Sequence, residues 1–487
     1  MSTMVDDSKA TRTGVLPSVK TEAIKTVSNP PIDDSTVSSK PKPSMSRAEV
    51  LQLAHPEEFC LIIVGDRIYD CTKWQYNHPG GHLTIRALCG KDGTDAFDFT
   101  HPKYVSQNLL SKFFYAHLKP EDSVKDDEAT IAFRDLTKKI EQADLFETDY
   151  TFYYNKMAVF IAMFLFVMAG VLLSDRLLVH ALAGILLGMF WQQMAFIGHD
   201  LGHNSITHNR TIDSYLGLFV GNFCTGISIG WWKRSHNVHH IVTNSCEHDP
   251  DIQHLPIFAI DRLFLKTKVF STFYNRFLPE PGHGHVLVHY QHWLYYPIMS
   301  VARFNLYVQS LTHALGVGAY NWKERLWNRN LQIATLLGFW TWLITLTMQL
   351  PTWKSRVTFF MLAHMVAGIL HVQITLSHFP MPTYSGVTYD KPANGFLRTQ
   401  LAGSLNIDCS PWMDWFHGGL QFQVEHHLWP RLPRHNLRLI KPLLLEFCLA
   451  HGLQYHQATF FEANYIMLCK LKEMAKTATS FSEFFNH

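Results

Sequence analysis

Four apolar runs, each of about 20 residues, constrain this chain more than any other feature, because that length matches a helix crossing a bilayer core. They cover about 156–173, 177–198, 331–350 and 357–377. Only Ser174-Asp175-Arg176 separates the first two, and Pro351 to Arg356 the last two, so the runs form two antiparallel hairpins. A composition of 47% hydrophobic and 17% charged residues fits a membrane protein with sizeable polar parts. Two hairpins place residues 1–155, 199–330 and 378–487 on one side of the membrane. A fifth stretch, Tyr215 to Ile229, is short and glycine-rich and is expected to be interfacial or re-entrant.

On that common side lie three histidine clusters: His199 and His203; His236, His239 and His240; and Gln423, His426 and His427. Residues three or four apart share a helix face, so each cluster aims its imidazoles at one point. The set is too large for one ion, whose site needs three or four protein ligands, and a two-metal centre is the reading that follows. Imidazole binds zinc, copper, nickel and iron alike, so the ligands by themselves do not name the metal.

Residues 1–45 are rich in Ser, Thr, Lys and Pro, show no positive-then-apolar signal pattern, and are expected to form a disordered tail. Residues 46–120 read as a small mixed domain, with a helix capped by Ser46 and strands near 60–64 and 67–70, followed by a charged connector over 121–150. Eight scattered cysteines contain no Cys-x-x-Cys pair, which points to a reducing compartment rather than a disulfide framework. A net charge of +2 argues against nucleic acid as a partner.

Within the small domain, His78-Pro79-Gly80-Gly81 and His101 can clamp a planar macrocycle from both faces. This segment resembles cytochrome b5, which implies haem b with His78 and His101 as axial ligands; His82 is expected to be solvated. Between residues 51 and 102, acidic side chains outnumber Lys and Arg by seven to four, a balance suited to docking against a basic partner. A one-electron carrier is of no use to zinc, so the fusion favours iron or copper in the second centre.

With these boxes, His-x-x-x-His, His-x-x-His-His and Gln-x-x-His-His, the chain resembles the front-end, cytochrome b5-fusion membrane lipid desaturases. The resemblance implies a mostly α fold: a four-span membrane desaturase domain over residues 151–487 with a cytosolic histidine-box cap, plus a small α+β cytochrome b5 domain. It implies two iron ions held by His199, His203, His236, His239, His240, His426 and His427, with His378 a further candidate ligand and Gln423 a front-end marker near the metals. His208, His248, His254, His364 and His371 are expected to be hydrogen-bonded or supporting groups. Asp200, Asp414 and Glu425 are expected to accept N–H bonds from ligating imidazoles. Trp429 to Arg434, with Arg438 and Lys441, could hold lipid headgroups or receive the haem domain.

The stretches His236 to His254 and Cys409 to Phe422 resemble the delta-8 sphingolipid desaturases of plants and fungi. The implied substrate is a ceramide or sphingoid lipid, with delta-6 or delta-5 desaturation of polyunsaturated acyl lipids the alternative. The implied partners are the membrane and NADH-cytochrome b5 reductase, and the implied place is the endoplasmic reticulum membrane with both termini cytosolic. Two rivals stand beside it: a lipid hydroxylase on the same metal site, and a membrane-tethered haem protein that relays electrons to other enzymes.

Overall fold

The computed structural model describes residues 44–279 apart from 103–104 and 106–108, then 286–317, 328–389 and 395–485. The tail expected over 1–45 lies outside the described residues except for Ser44 and Met45. These two form a strand, β1, that pairs in parallel with His117 and Leu118. With β2 (Leu61–Val64), β3 (Arg67–Asp70) and β4 (Phe114–Leu118) it builds a four-stranded sheet of order β1-β4-β3-β2. The sheet of the small N-terminal domain thus includes two residues ahead of position 46. Its opening helix, Arg47–Leu53, is fixed by a reciprocal cap: the Ser46 hydroxyl accepts from the Glu49 N–H, and the Glu49 carboxylate accepts from the Ser46 N–H.

Four helices among the described residues are long and apolar enough to cross a membrane: Tyr150–Leu172, Leu177–Gly202, Arg329–Met348 and Trp353–Thr375. Each tests an expected boundary. The first starts at Tyr150 rather than near 156, because the Asp149 side chain accepts the Thr151 N–H and caps it. The fourth starts at Trp353 rather than 357, capped by the Thr352 hydroxyl. The second does not stop at Gly198 but runs on to Gly202, which carries His199 beyond the apolar stretch in its last turn and places His203 at its C-cap. Leu165, Phe166 and Leu178 are exposed, as lipid-facing side chains of such a hairpin must be.

Between spans two and four, Gly184 and Gly188 lie one turn apart. A Cβ would stand 2.6 Å from the Phe359 carbonyl oxygen at Gly184 and 2.5 Å from that of Ala363 at Gly188. Small residues at this spacing let two helix backbones touch, which is how helices associate where no hydrophobic driving force separates them from lipid.

The fifth apolar stretch is a bent pair. Helix Arg210–Thr225 and helix Ile229–Ile241 meet at 109° across Gly226, whose φ of +75° suits glycine. The bend is consistent with a re-entrant piece, and Asn222 Oδ1 stabilises it by accepting the Ile229 N–H at 2.9 Å. The connector is also more than a tether. It contains helix Glu128–Gln142, whose buried Phe133 stacks on Trp429 at 5.1 Å and packs against Phe99 at 4.8 Å.

Replacing Gly188 with leucine should separate spans two and four, lowering stability by at least about 1–3 kcal/mol, the range for overpacked sites. Thermal unfolding in detergent would read this as a lower midpoint, with a smaller effect for Gly188→Ala.

Candidate metal centre and haem cleft

The folding of each cluster explains its aim. His199 and His203 sit one turn apart at the end of span two; His236, His239 and His240 follow the i, i+3, i+4 pattern on helix Ile229–Ile241; His426 and His427 lie on the short helix Gln423–Leu428. The three converge. His199, His203, His236 and His426 offer ligand atoms all within 4.8 Å of one another, and His239, His378 and His427 form a second group by the same measure. His240 joins the two: its Nε2 is 3.0 Å from His236 Nε2, and its ring centroid lies 4.2 Å from that of His427.

The donors suit a pair of metal ions. Buried ring nitrogens of His199, His203, His426 and His427 (Nε2) and of His240 (Nδ1) have no hydrogen-bond partner. Leaving each of these groups buried and unpaired costs about 1–3 kcal/mol, a penalty that coordination removes. Burial also holds His203, His240, His426 and His427 well below the usual imidazole range, and pushes His236 and His378 down to about 3. They are therefore neutral at physiological pH, as ligands must be.

Partners on the far ring nitrogen orient three of the rings. His239 Nδ1 lies 2.8 Å from Asp249, His427 Nδ1 lies 2.9 Å from Gln400 Oε1, and His378 Nδ1 lies 3.1 Å from the Gly403 carbonyl oxygen. Each contact keeps a proton on Nδ1 and turns Nε2 inward. Burial opposes charge on His239, yet Asp249 and Asp251 outweigh it and lift its pKa to about 9. Asp249 is itself held by the N–H groups of Asn244 and Asp251, at 2.7 and 2.9 Å.

These supports replace the expected ones. Asp200 pairs with Arg434 at 3.1 Å and accepts from the Tyr153 hydroxyl, while His199 Nδ1 stands 3.7 Å away. Asp414 is taken by Arg438 and Gln421, and Glu425 by Asn406 and Tyr455. Among the described residues none of the three accepts an imidazole hydrogen bond of normal length: Asp414 and Glu425 are taken up by other partners, and Asp200 keeps one oxygen 3.7 Å from His199 Nδ1 while the other is held by Arg434 and Tyr153. The residues that do so were hidden by sequence distance. Asp249 returns to His239 only through the Asp-Pro-Asp turn at 249–251, and Gln400 arrives from a helix 27 residues before His427.

Gln423 is buried and lines a small cavity with His199, His426, Phe196 and Leu420, next to the four-histidine group. His364 bonds the Phe360 carbonyl and Tyr307, His208 bonds Thr148, His248 bonds Thr272, and His254 bonds the Asp251 carbonyl. His371 differs from them: it is buried, and neither of its ring nitrogens has a hydrogen-bond partner. The basic stretch is largely spent within the chain, with Arg434 on Asp200, Arg438 on Asp414 and Lys441 on Asp408.

In the small domain His78 and His101 face each other, Nε2 to Nε2 at 3.5 Å. Their Nδ1 atoms bond the carbonyl oxygens of Gly81 (3.0 Å) and Phe97 (3.1 Å), leaving the inner nitrogens for a metal. Burial, followed by the neighbouring His78, lowers His101 to about 4. A Cβ on residue 80 would lie 2.7 Å from the His78 ring, so glycine is required there. Opposed in this way, with burial keeping both neutral, His78 and His101 would hold a haem iron between them. His82 is buried rather than solvated, because its ring stacks on Tyr76 at 6.1 Å. All eight cysteines are free thiols.

The chain is similar to known proteins over both regions. Residues 175–459 match the fatty acid desaturase family, and residues 46–119 match the cytochrome b5-like heme/steroid binding domain. A Delta(8)-fatty-acid desaturase of Helianthus annuus is 39% identical over 90% of this chain and 92% of its own length. An acyl-lipid (9-3)-desaturase of Borago officinalis is 38% identical over 86% of this chain and 90% of its own. A Delta 8-(E)-sphingolipid desaturase of Emericella nidulans is 42% identical over 71% of this chain and 62% of its own.

Asp249→Asn should weaken metal retention by about 10–100-fold, the usual effect of losing such a supporting carboxylate. Metal analysis would show depleted iron while the haem absorption per chain stays unchanged.

Proposed function

This chain belongs to the fatty acid desaturase family and carries its own cytochrome b5-like domain, and from that premise we propose that it desaturates the long-chain base of sphingolipids at the delta-8 position. The chain is an oxygen-dependent front-end lipid desaturase with haem and diiron cofactors; the substrate is the proposed part. The similarity to the Delta 8-(E)-sphingolipid desaturase of Emericella nidulans supports it, as do 42% identity over 390 residues to a protein of that name in Kluyveromyces lactis and the stretches flanking the second and third boxes.

The observation that carries the chemistry is the pair of adjoining imidazole groups, in which buried nitrogens of His199, His203, His240, His426 and His427 have no hydrogen-bond partner. In this reading His199, His203, His236 and His426 hold one iron, His239, His378 and His427 the other, and His240 lies between them. When bound, the irons supply oxygen activation and the haem supplies single electrons; no side-chain acid or base could ionise an unactivated methylene. Overall, two adjacent CH2 groups, O2, two electrons and two protons give one double bond and two waters. Gln400 and the Gly403 carbonyl hold protons on the Nδ1 atoms of His427 and His378, so their Nε2 lone pairs stay free for a metal, while Asp249 orients His239 and makes its ring more basic, so that metal binding there would release its Nε2 proton. Gln423 and the apolar Phe196 and Leu420 wall the cavity at the four-histidine group and keep bulk water from it.

Electrons come, in the same proposal, from NADH through a cytochrome b5 reductase, and the chain resides in the endoplasmic reticulum membrane with both termini in the cytosol. Free thiols throughout and site elements gathered at one end of both hairpins support that placement.

Expression in a yeast lacking delta-8 unsaturated bases, with long-chain bases and fatty acids profiled together, tests the substrate. Delta-8 unsaturated bases should appear, and His427→Ala should abolish them while the haem spectrum persists. Unsaturation confined to fatty acids, or a hydroxylated base, would refute the assignment.

A further inference from the structure

We infer that Asn237 is the positioning residue that joins the haem module to the metal centre, through one hydrogen bond between the two cofactor-binding motifs. The inference rests on the desaturase reading above and adds the route by which electrons pass inside the chain.

Asn237 follows His236 on helix Ile229–Ile241, so it lies about 100° around the helix axis from that histidine. While His236 turns to the metal centre, the Asn237 side chain turns to the small domain. Its Nδ2 donates to the Gly80 carbonyl oxygen at 3.2 Å. Gly80 belongs to the loop that carries His78, whose Nδ1 bonds the Gly81 carbonyl oxygen. The absent Cβ at residue 80 lets that backbone lie against the His78 ring. From His78 to His236 the path is therefore a stretch of loop backbone, one hydrogen bond and one step along a helix.

The contact is held by a fixed seat. One continuous hydrophobic core contains Ile85, Leu88 and Ala96 of the haem module together with Val238, Ile241 and Trp429 of the membrane domain. Helix His82–Ala87 packs on helix Ile229–Ile241. Phe99 stacks on Phe396 at 5.6 Å, and Asp95, which is buried, pairs with Arg134 of the connector at 2.6 Å. A donor seated this way does not have to search for its acceptor. Each turnover needs two passages; in each, ferrous haem is oxidised to ferric and the acceptor gains one electron, and two protons from water complete the reduction of O2.

The test uses the full chain in nanodiscs, with its haem reduced by stoichiometric dithionite. The protein is mixed with aerated buffer and a ceramide bearing a saturated base, and haem reoxidation is followed by absorption. Asn237→Leu keeps the volume and removes the donor. Reoxidation should slow roughly tenfold, the order expected when a positioned pair shifts by part of an ångström, while haem spectrum and iron content stay at wild-type levels. Asn237→Gln restores an N–H donor and should recover most of the rate. A wild-type rate in Asn237→Leu overturns the inference. Should that variant lose haem or iron, Asn237→Asp replaces it: an oxygen set against the Gly80 carbonyl should also slow reoxidation, and a wild-type rate there is equally fatal. If the unaltered chain shows no ceramide-dependent reoxidation, the sphingolipid-substrate reading fails instead.

Discussion

Mutual burial of imidazoles is the constraint on which the rest of the structure depends. Five buried ring nitrogens of the site have no hydrogen-bond partner, and the total penalty would be a sizeable share of a domain's net stability of about 5–15 kcal/mol. Metal coordination offsets that penalty and makes the arrangement worth holding. Helix-end placement, close helix packing and the outer hydrogen bonds all serve to keep these rings facing one another.

The membrane bundle supplies the leverage. Span two carries the first box because its helix passes four residues beyond the apolar run, and it is pinned to span four by the backbone contact at Gly184 and Gly188. Span four in turn leads through Thr375 to His378. Two rigid rods thus present the ends of both hairpins to a common point, while the bent pair at Gly226 brings the second box in from the side. A loop scaffold would not hold nitrogens within such a small region.

The legible part of this molecule was its periodic and local chemistry. Run length gave four spans, the i, i+3, i+4 spacing gave the box helices, and His-Pro-Gly-Gly pointed to the haem cleft. Hidden from the sequence were pairings closed by tertiary folding. Asp200 and Glu425 stand beside box residues in the chain and Asp414 lies shortly before the third box, yet their hydrogen bonds and ion pairs go to Arg434, Asn406 and Arg438. Asp249 and Gln400 support the rings from outside the boxes. His82 looked solvated because nothing local reveals that Tyr76 covers it. The connector looked like a tether because its charges dominate, although Phe133 at its centre is fully buried.

The basic stretch after the third box shows how one pattern can serve a different end from the one it suggests. Several cations near a membrane surface read naturally as a headgroup site. Arg434 instead reaches the last turn of span two, where it pairs with Asp200 behind His199. Arg438 and Lys441 tie helix Leu437–Ala450 to Asp414 and Asp408 on the segment leading into the box. The Asp200–Arg434 pair is almost fully enclosed, so losing one partner would leave an uncompensated buried charge, at a cost of about 3–5 kcal/mol. That is a strong clamp at one point. It joins the helix end bearing the first box to the segment following the third, so the basic residues act on the metal centre by holding two of its walls at a fixed separation.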